Sequence, residues 1–253
     1  MTRFKVGVQI RPQHCDMSQL REAWKAADAL GVDTIWNWDH FYPLFGPEDG
    51  AHFECWTMLA AIAADTTHAR FGALVTCNSY RNPELLADMA RTVNEISGGR
   101  LILGIGSGWF ERDYAEYGYE FGTAPGRLKA LGAALPRIEE RLGKLNPSGT
   151  GIPVMIGGGG EKVTLKLVAR HASLWNFSGG AVEVFAHKNR VLDEWCAKLG
   201  RDPGEIDRTC IVNGADVDNY QAYLDAGATH LIFGLNAPFD LKPVERLLEF
   251  ARA

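Results

Sequence analysis

Residues 70–106, RFGALVTCNSYRNPELLADMARTVNEISGGRLILGIG, contain one full period of the pattern that decides the fold. RFGALVT (70–76) is a short apolar, β-rich run and reads as a strand. PELLADMARTVNEIS (83–97) follows as a helix, with a proline at its start, where a missing N–H costs nothing. GRLILGIG (99–106) is a strand again. Upstream, the same alternation runs through FKVGVQI (4–10), a helix over 18–30 with Ser18 as N-cap and Gly31 as stop, DTIWNW (33–38), and a helix over 53–65 carrying Trp56, Leu59, Ala60 and Ala63 at helical spacing. Downstream come a helical stretch over 126–143, where Gly132 and Pro136 predict a kink or two shorter helices, and PVMIG (153–157) with a helix over 161–171. SLWNF (173–177) precedes a helix over 182–199, TCIVNG (209–214) a short helix over 218–226, and THLIFGL (229–235) a helix over 243–252. Alternating strand–helix units imply parallel strands with right-handed crossovers, and about eight of them in roughly 250 residues is the arithmetic of a (β/α)8 barrel. A doubly wound open sheet is the competitor, but it more often stops at five to seven strands and leaves a clear switch point. No Pro-, Gly- or Ser-rich linker divides the chain, so one domain over 1–253 is expected.

Composition narrows the function. At 46% hydrophobic and 23% charged residues, the chain is an ordinary globular sequence. No apolar run approaches the ~18–20 residues needed to cross a bilayer. The opening MTRFKVGVQIRP is broken by Lys5, Gln9 and Arg11 and lacks the apolar core of a secretory signal. A cytoplasmic protein without a membrane partner is expected. The net charge of -5 argues against nonspecific nucleic-acid binding, which needs a basic footprint. The cysteines (Cys15, Cys55, Cys77, Cys196 and Cys210) are odd in number, widely spaced and without a CxxC pair, which fits reduced thiols better than a disulfide framework or a zinc site.

In a barrel of this kind chemistry sits at the C-terminal ends of the strands. After the second strand, NWDHFYPLFG (37–46) places Asp39 and His40 in an aromatic setting of Trp38, Phe41 and Tyr42, an acid and an imidazole able to orient a planar ligand and move a proton. After the third, Tyr80, Arg81 and Asn82 either bond a polar ligand or cap the next helix and pair with acids. GIGSGWFERD (104–113) matches a dinucleotide loop only superficially; small residues that let a ligand approach the backbone are the better account, with Trp109, Phe110, Glu111 and Arg112 able to close over a flat ring. GGGGEKVTLK (157–166) leads four glycines into a helix start, an anion site to which Lys162 and Lys166 add charge, and phosphate is the expected ligand. WNFSGG (175–180) puts Trp175 and Asn176 beside that loop, and GLNAPFD (234–240) offers Asn236 and Phe239. No HExxH, clustered His/Cys ligands or nucleophile elbow appears, so no metal site is expected.

NWDHF, SYRNPELLADMARTVNEISGGRLILGIGSGWFERDYAEYG and IGGGGEKVTLKLVARHASLWN together resemble the luciferase-like (bacterial luciferase superfamily) oxidoreductases, most of all the branch that uses the deazaflavin coenzyme F420. The resemblance covers roughly residues 4–200. It implies a (β/α)8 barrel, usually a homodimer, with the cofactor ring in the barrel mouth. It implies that Asp39 bonds the cofactor and partners His40, that His40 sits at the reacting carbon, and that a cis peptide falls near Leu74-Val75 behind the ring. Cys77 would line the ring. Gly157, Gly158, Gly159, Gly160 and Glu161 at the helix start would hold the phosphate, Lys162 the acidic tail, with Trp175 and Asn176 alongside. Some members carry a glutamate proton donor where Trp109 stands here, and Glu111 lies two residues on as the remaining acid. The region between the fourth and fifth strands is short for the family. The expected activity is F420-dependent hydride transfer with a small organic substrate. Alternatives are an FMN-dependent monooxygenase, a non-catalytic cofactor-binding relative and, more weakly, a sugar-phosphate barrel enzyme.

Overall fold

The structure is a computed structural model that describes residues 3–178 and 181–253. Among the described residues nine strands form one sheet: β1 (Lys5–Ile10), β2 (Thr34–Asn37), β3 (Arg70–Ala73), β4 (Thr76–Cys77), β5 (Leu103–Gly106), β6 (Val154–Gly157), β7 (Leu174–Phe177), β8 (Asp207–Val212) and β9 (His230–Leu235). They lie in the order β3-β2-β1-β9-β8-β7-β6-β5-β4, and every pairing between them is parallel. The predicted third strand, 70–76, is split by a cis peptide between Leu74 and Val75. Its first half bridges Leu101 through Phe71 and its second half pairs with β5, so β3 and β4 together fill one position of an eight-position barrel.

Helices α1 (Met17–Leu30), α2 (Cys55–Asp65), α3 (Pro83–Ile96), α4 (Glu111–Tyr117), α5 (Ala124–Lys144), α6 (Thr164–His171), α7 (Val182–Leu199), α8 (Tyr220–Asp225) and α9 (Lys242–Arg252) surround the sheet. Three local expectations are corrected. The cap of α1 is Asp16, not Ser18: its carboxylate accepts from the Gln19 amide and the Gln19 side chain returns to the Asp16 amide, closing a capping box that Ser18 only supports through its hydroxyl. Pro136 does not divide α5, which runs through it as one 21-residue helix. The helix expected from 161 begins at Thr164, because Glu161 to Val163 form a turn and Val163 has non-helical dihedrals.

Strand pleating sorts the residues of the barrel into two environments. The outward set, including Val6, Val8, Ile35, Phe71, Ile105, Ile156, Trp175 and Leu231, packs into the core between sheet and helices. The inward set forms a separate apolar plug of Trp36, Leu74, Ile102, Met155, Leu174 and Ile232. Above the plug, toward the C-terminal ends, inward positions are held by Gln9, Gly106, Gly157, Asn176 and Gly234, which are small or polar. The interior is therefore filled below and open above.

Candidate functional site

That open end is a cavity of about 670 Å³, within the ordinary range for a small-molecule site. Its lining comes from the ends of β1, β2, β4, β5, β6, β7 and β8. Asp39, His40, Leu74, Val75, Cys77, Gly157, Gly158 and Asn176 line it, so the acid–imidazole pair and the start of the glycine run share one chamber.

The partners of that pair differ from expectation. Asp39 does not bond His40. It is buried and takes both arms of Arg81, Oδ2 from Nη1 at 2.6 Å and Oδ1 from Nη2 at 3.0 Å, with a third bond from the Cys77 amide at 2.9 Å. Burial pushes the Asp39 carboxyl upward, against the opposing pull of Arg81 and the Cys77 N–H. Arg81 reaches on to Glu54 at 2.8 Å, settling the open reading of that residue in favour of ion pairing. The acid that holds His40 is Asp113, which is wholly buried: Oδ2 lies 2.7 Å from His40 Nδ1 and accepts from the Tyr80 hydroxyl at 3.1 Å, while Oδ1 accepts from the Phe41 amide. With Nδ1–H committed to Asp113, Nε2 has no protein partner among the described residues, and the ring is oriented for proton transfer there. Edge-on contacts from Trp38, Trp109 and Phe110 fence the imidazole.

Glu111 stands exposed in the first turn of α4, outside the cavity lining. Helical geometry explains this: with Asp113 turned inward, Glu111 two residues earlier points away. Trp109 lines the mouth and is 63% exposed.

Behind the cavity, Val75 at the cis bond presses on the glycines of neighbouring strands. A Cβ at Gly106 would lie 2.7 Å from Val75 Cγ2 and one at Gly157 3.0 Å from Val75 Cγ1. The glycine loop turns at Gly158, whose φ of 118° is open to glycine. Gly159 packs under the Phe177 ring and Gly160 against Thr164. Trp175 is buried outside the cavity and braces the loop by donating Nε1–H to the Gly158 carbonyl at 2.8 Å. Glu161 faces away, taken by His187 and Lys188. Lys162 is exposed, and the late start of α6 leaves it before the helix that carries Lys166. The amides of Gly159 to Val163 donate to no protein acceptor among the described residues, which leaves a row of N–H groups at the loop. Gly179 and Gly180 of the WNFSGG stretch lie outside the described residues.

Several lining residues had no counterpart in the sequence reading: Gln9, Arg11, Thr76, Asn213, Asp216 and Tyr223. Asn236 and Phe239 are not in the lining; Phe239 is buried in the core and Asn236 touches Arg11 at 3.4 Å. Thr76 Oγ1 is buried without a partner.

A family model described as luciferase-like monooxygenase matches residues 1–232. An F420-dependent glucose-6-phosphate dehydrogenase of Amycolatopsis mediterranei (strain U-32) is 30% identical over 140 residues, which are 54% of this chain and 41% of that protein, so the match spans well under half of the relative. A phthiodiolone/phenolphthiodiolone dimycocerosates ketoreductase of Mycobacterium sp. (strain JLS) is 29% identical over 287 residues, 95% of this chain and 74% of that one. Among solved structures, an F420-dependent secondary alcohol dehydrogenase in complex with an F420-acetone adduct superposes with a TM-score of 0.87 over 99% of this chain and 100% of that chain at 14% identity, a likeness of fold.

Proposed function

This chain belongs to the luciferase-like monooxygenase family, and from that premise we propose that it is an F420-dependent oxidoreductase that moves a hydride to or from a small organic substrate. The observation that carries the reading is the hydrogen-bonded imidazole–carboxylate pair, His40 and Asp113, with His40 set into the same chamber as Gly157 and Gly158, the start of a glycine loop whose following amides have no protein acceptor among the described residues. The name and partial coverage of the dehydrogenase relative support the cofactor.

The residues present fit a flat, phosphate-tailed ring. The orphaned Thr76 hydroxyl gives a polar ring edge a partner, and Val75, seated in the room left by Gly106 and Gly157, offers an apolar wedge for a ring to rest on. The free amides at 159–163 suit a phosphate. Bound there, a deazaflavin supplies a carbon that accepts or donates hydride. The protein's own part is proton handling and orientation. His40 Nε2 takes the proton of a substrate hydroxyl as it becomes a carbonyl, or returns it in the reverse direction. Asp113 and Tyr80 hold the imidazole tautomer, while Asp39 and Arg81 fix the Cys77 segment at the floor. Glu111 has no part in this scheme. The family model's description as a monooxygenase supports oxygenation as the second reading, for which FMN is the alternative cofactor.

Titration with F420 and with FMN, followed by fluorescence quenching and then by turnover with and without oxygen, separates the two. Tight F420 binding and oxygen-independent turnover are expected. Preference for FMN by tenfold or more with oxygen-dependent turnover overturns the F420 reading, and binding without turnover across alcohols, ketones and enones assigns a non-catalytic carrier.

A further inference from the structure

We propose that the substrate of this site is a monocarboxylate with an apolar body, and that Arg11 binds its carboxylate. The proposal rests on the hydride-transfer reading and adds the substrate class.

Arg11 directly follows β1 and lines the cavity. A guanidinium has five N–H donors. Among the described residues Arg11 spends one of them, on a 3.4 Å contact to Asn236 Oδ1, while Nε is buried without a partner. No carboxylate of the described residues forms an ion pair with it, and burial lowers its pKa. The neighbouring arginines are otherwise placed: Arg81 is held by Asp39 and Glu54, and Arg112 by Asp49. The head group rests against Gly234 on the adjoining strand, where a Cβ would run into Nη2, so the glycine gives the guanidinium its place in the wall. The Phe45 ring lies 5.5 Å from the guanidinium carbon.

Position then says which part of a ligand Arg11 meets. In the sheet order β9, β8 and β7 separate β1 from β6, and on the other side β2, the β3–β4 position and β5 do the same. Arg11 thus stands across the barrel from the glycine loop that follows β6. A phosphate seated on that loop is out of its reach. His40, by contrast, comes from β2, the direct neighbour of β1, and the contacts Arg11 to Phe45, Phe45 to Trp38 and Trp38 to His40 form one continuous wall. An anion at Arg11 therefore belongs to the molecule whose reacting carbon faces His40.

The charge count favours a carboxylate over a phosphate ester. Among the described residues Arg11 is the only arginine or lysine in the lining, and a planar guanidinium matches a planar carboxylate. Asp216, which lines the β8 side and accepts from the Tyr223 hydroxyl and the Asn213 amide, opposes a second anionic group. Trp38, Leu44 and Phe45 supply the apolar surface for the rest of the substrate.

The test uses three pairs of ligands matched except for charge: lactate and lactamide, mandelate and mandelamide, 3-hydroxybutyrate and its amide. Calorimetric binding to the free and the cofactor-loaded protein is compared for wild type, Arg11→Gln and Arg11→Lys, alongside F420 and FMN affinities by fluorescence quenching. At least one acid should bind wild type ~10- to 100-fold more tightly than its amide, as a charge-assisted pair requires. R11Q should reduce that ratio to about one, R11K should keep part of it, and cofactor affinity should be the same in all three. Absence of charge preference in every pair overturns the proposal. So does a tenfold loss of cofactor affinity in R11Q with the acid-to-amide ratio intact, which assigns Arg11 to the cofactor. If neither cofactor binds wild type, the hydride-transfer reading fails, while the acid-to-amide ratio on the free protein still decides the role of Arg11.

Discussion

His40 and Asp113 are 73 positions apart in sequence and 2.7 Å apart in the fold. Removing the negative partner while keeping its shape isolates what it does. Asp113→Asn should lower kcat by about 100-fold or more, with KM little changed, because the ring loses the acceptor that holds its Nδ1–H tautomer. The ¹⁵N shifts of the His40 ring give a readout independent of activity: tautomer signals identical to wild type would remove Asp113 from the positioning role. Asp39 and Arg81 form a second buried pair with a different task. Arg81→Met leaves the Asp39 carboxylate in the interior without its cation and should cost about 3–5 kcal/mol in urea unfolding. Adding Asp39→Asn should recover part of that loss, since the damage comes from the stranded charge; a double variant as unstable as the sum of the singles would contradict this. The sequence reading placed both Asp39 and His40 correctly at a strand end but paired them with each other. Both line the chamber, but Asp39 is taken by Arg81 and the Cys77 amide and His40 by Asp113, partners that other strand ends bring in.

At the scale of elements, the site depends on how β4, β5 and β6 share space behind the cavity. Val75 occupies room that Cβ atoms at Gly106 and Gly157 would otherwise take. Gly106→Ala should therefore destabilise by about 1–3 kcal/mol through overpacking. Trimming the opposing side chain should relieve it: Val75→Ala combined with Gly106→Ala should be more stable than the sum of the two single changes implies, measured as a coupling energy in chemical denaturation. Additive effects would mean that Val75 is not what the glycine makes room for. The glycines of these strands were legible as positions of close backbone approach, but the sequence reading assigned the approach to a ligand alone. A local signal announces that a Cβ is excluded, not what excludes it. The start of α6 shows the same limit. Four glycines before a helical pattern predict a helix at 161, yet a turn over 161–163 delays it to Thr164, with Val163 at non-helical dihedrals.

Across the whole molecule, the barrel encloses a titratable group at the end opposite the cavity. His230 starts β9 in the interior, fully buried, with Nε2 in hydrogen-bond contact with Thr34 Oγ1 at 2.9 Å, and Thr34 Oγ1 accepts from Trp36 Nε1 at 2.7 Å. Burial drives its pKa down from 6.5 to about 3, and burial likewise lowers His52 to about 4. Between those values and 6.5 the unfolded chain binds protons that the native state refuses, so stability present above pH 6.5 is lost as pH falls, by up to ~1.4 kcal/mol per pH unit per group. His230→Gln should flatten the decline in unfolding free energy between pH 6.5 and 4 relative to wild type. Equal slopes would show that His230 protonates as readily folded as unfolded. The sequence alone determined the alternation of strands and helices, hence a parallel barrel with its chemistry at one end, because pleat and helix periodicity are local properties that survive without knowledge of neighbours. It also marked the segments that would meet there. Only the tertiary structure decided that Asp113 and not Asp39 serves His40, that Glu111 faces solvent, and that Arg11 enters the chamber with its charge unmatched by any carboxylate of the described residues. Those outcomes depend on which strands become neighbours when the sheet closes, and side-chain pairing across tens of residues leaves no periodic trace along the chain.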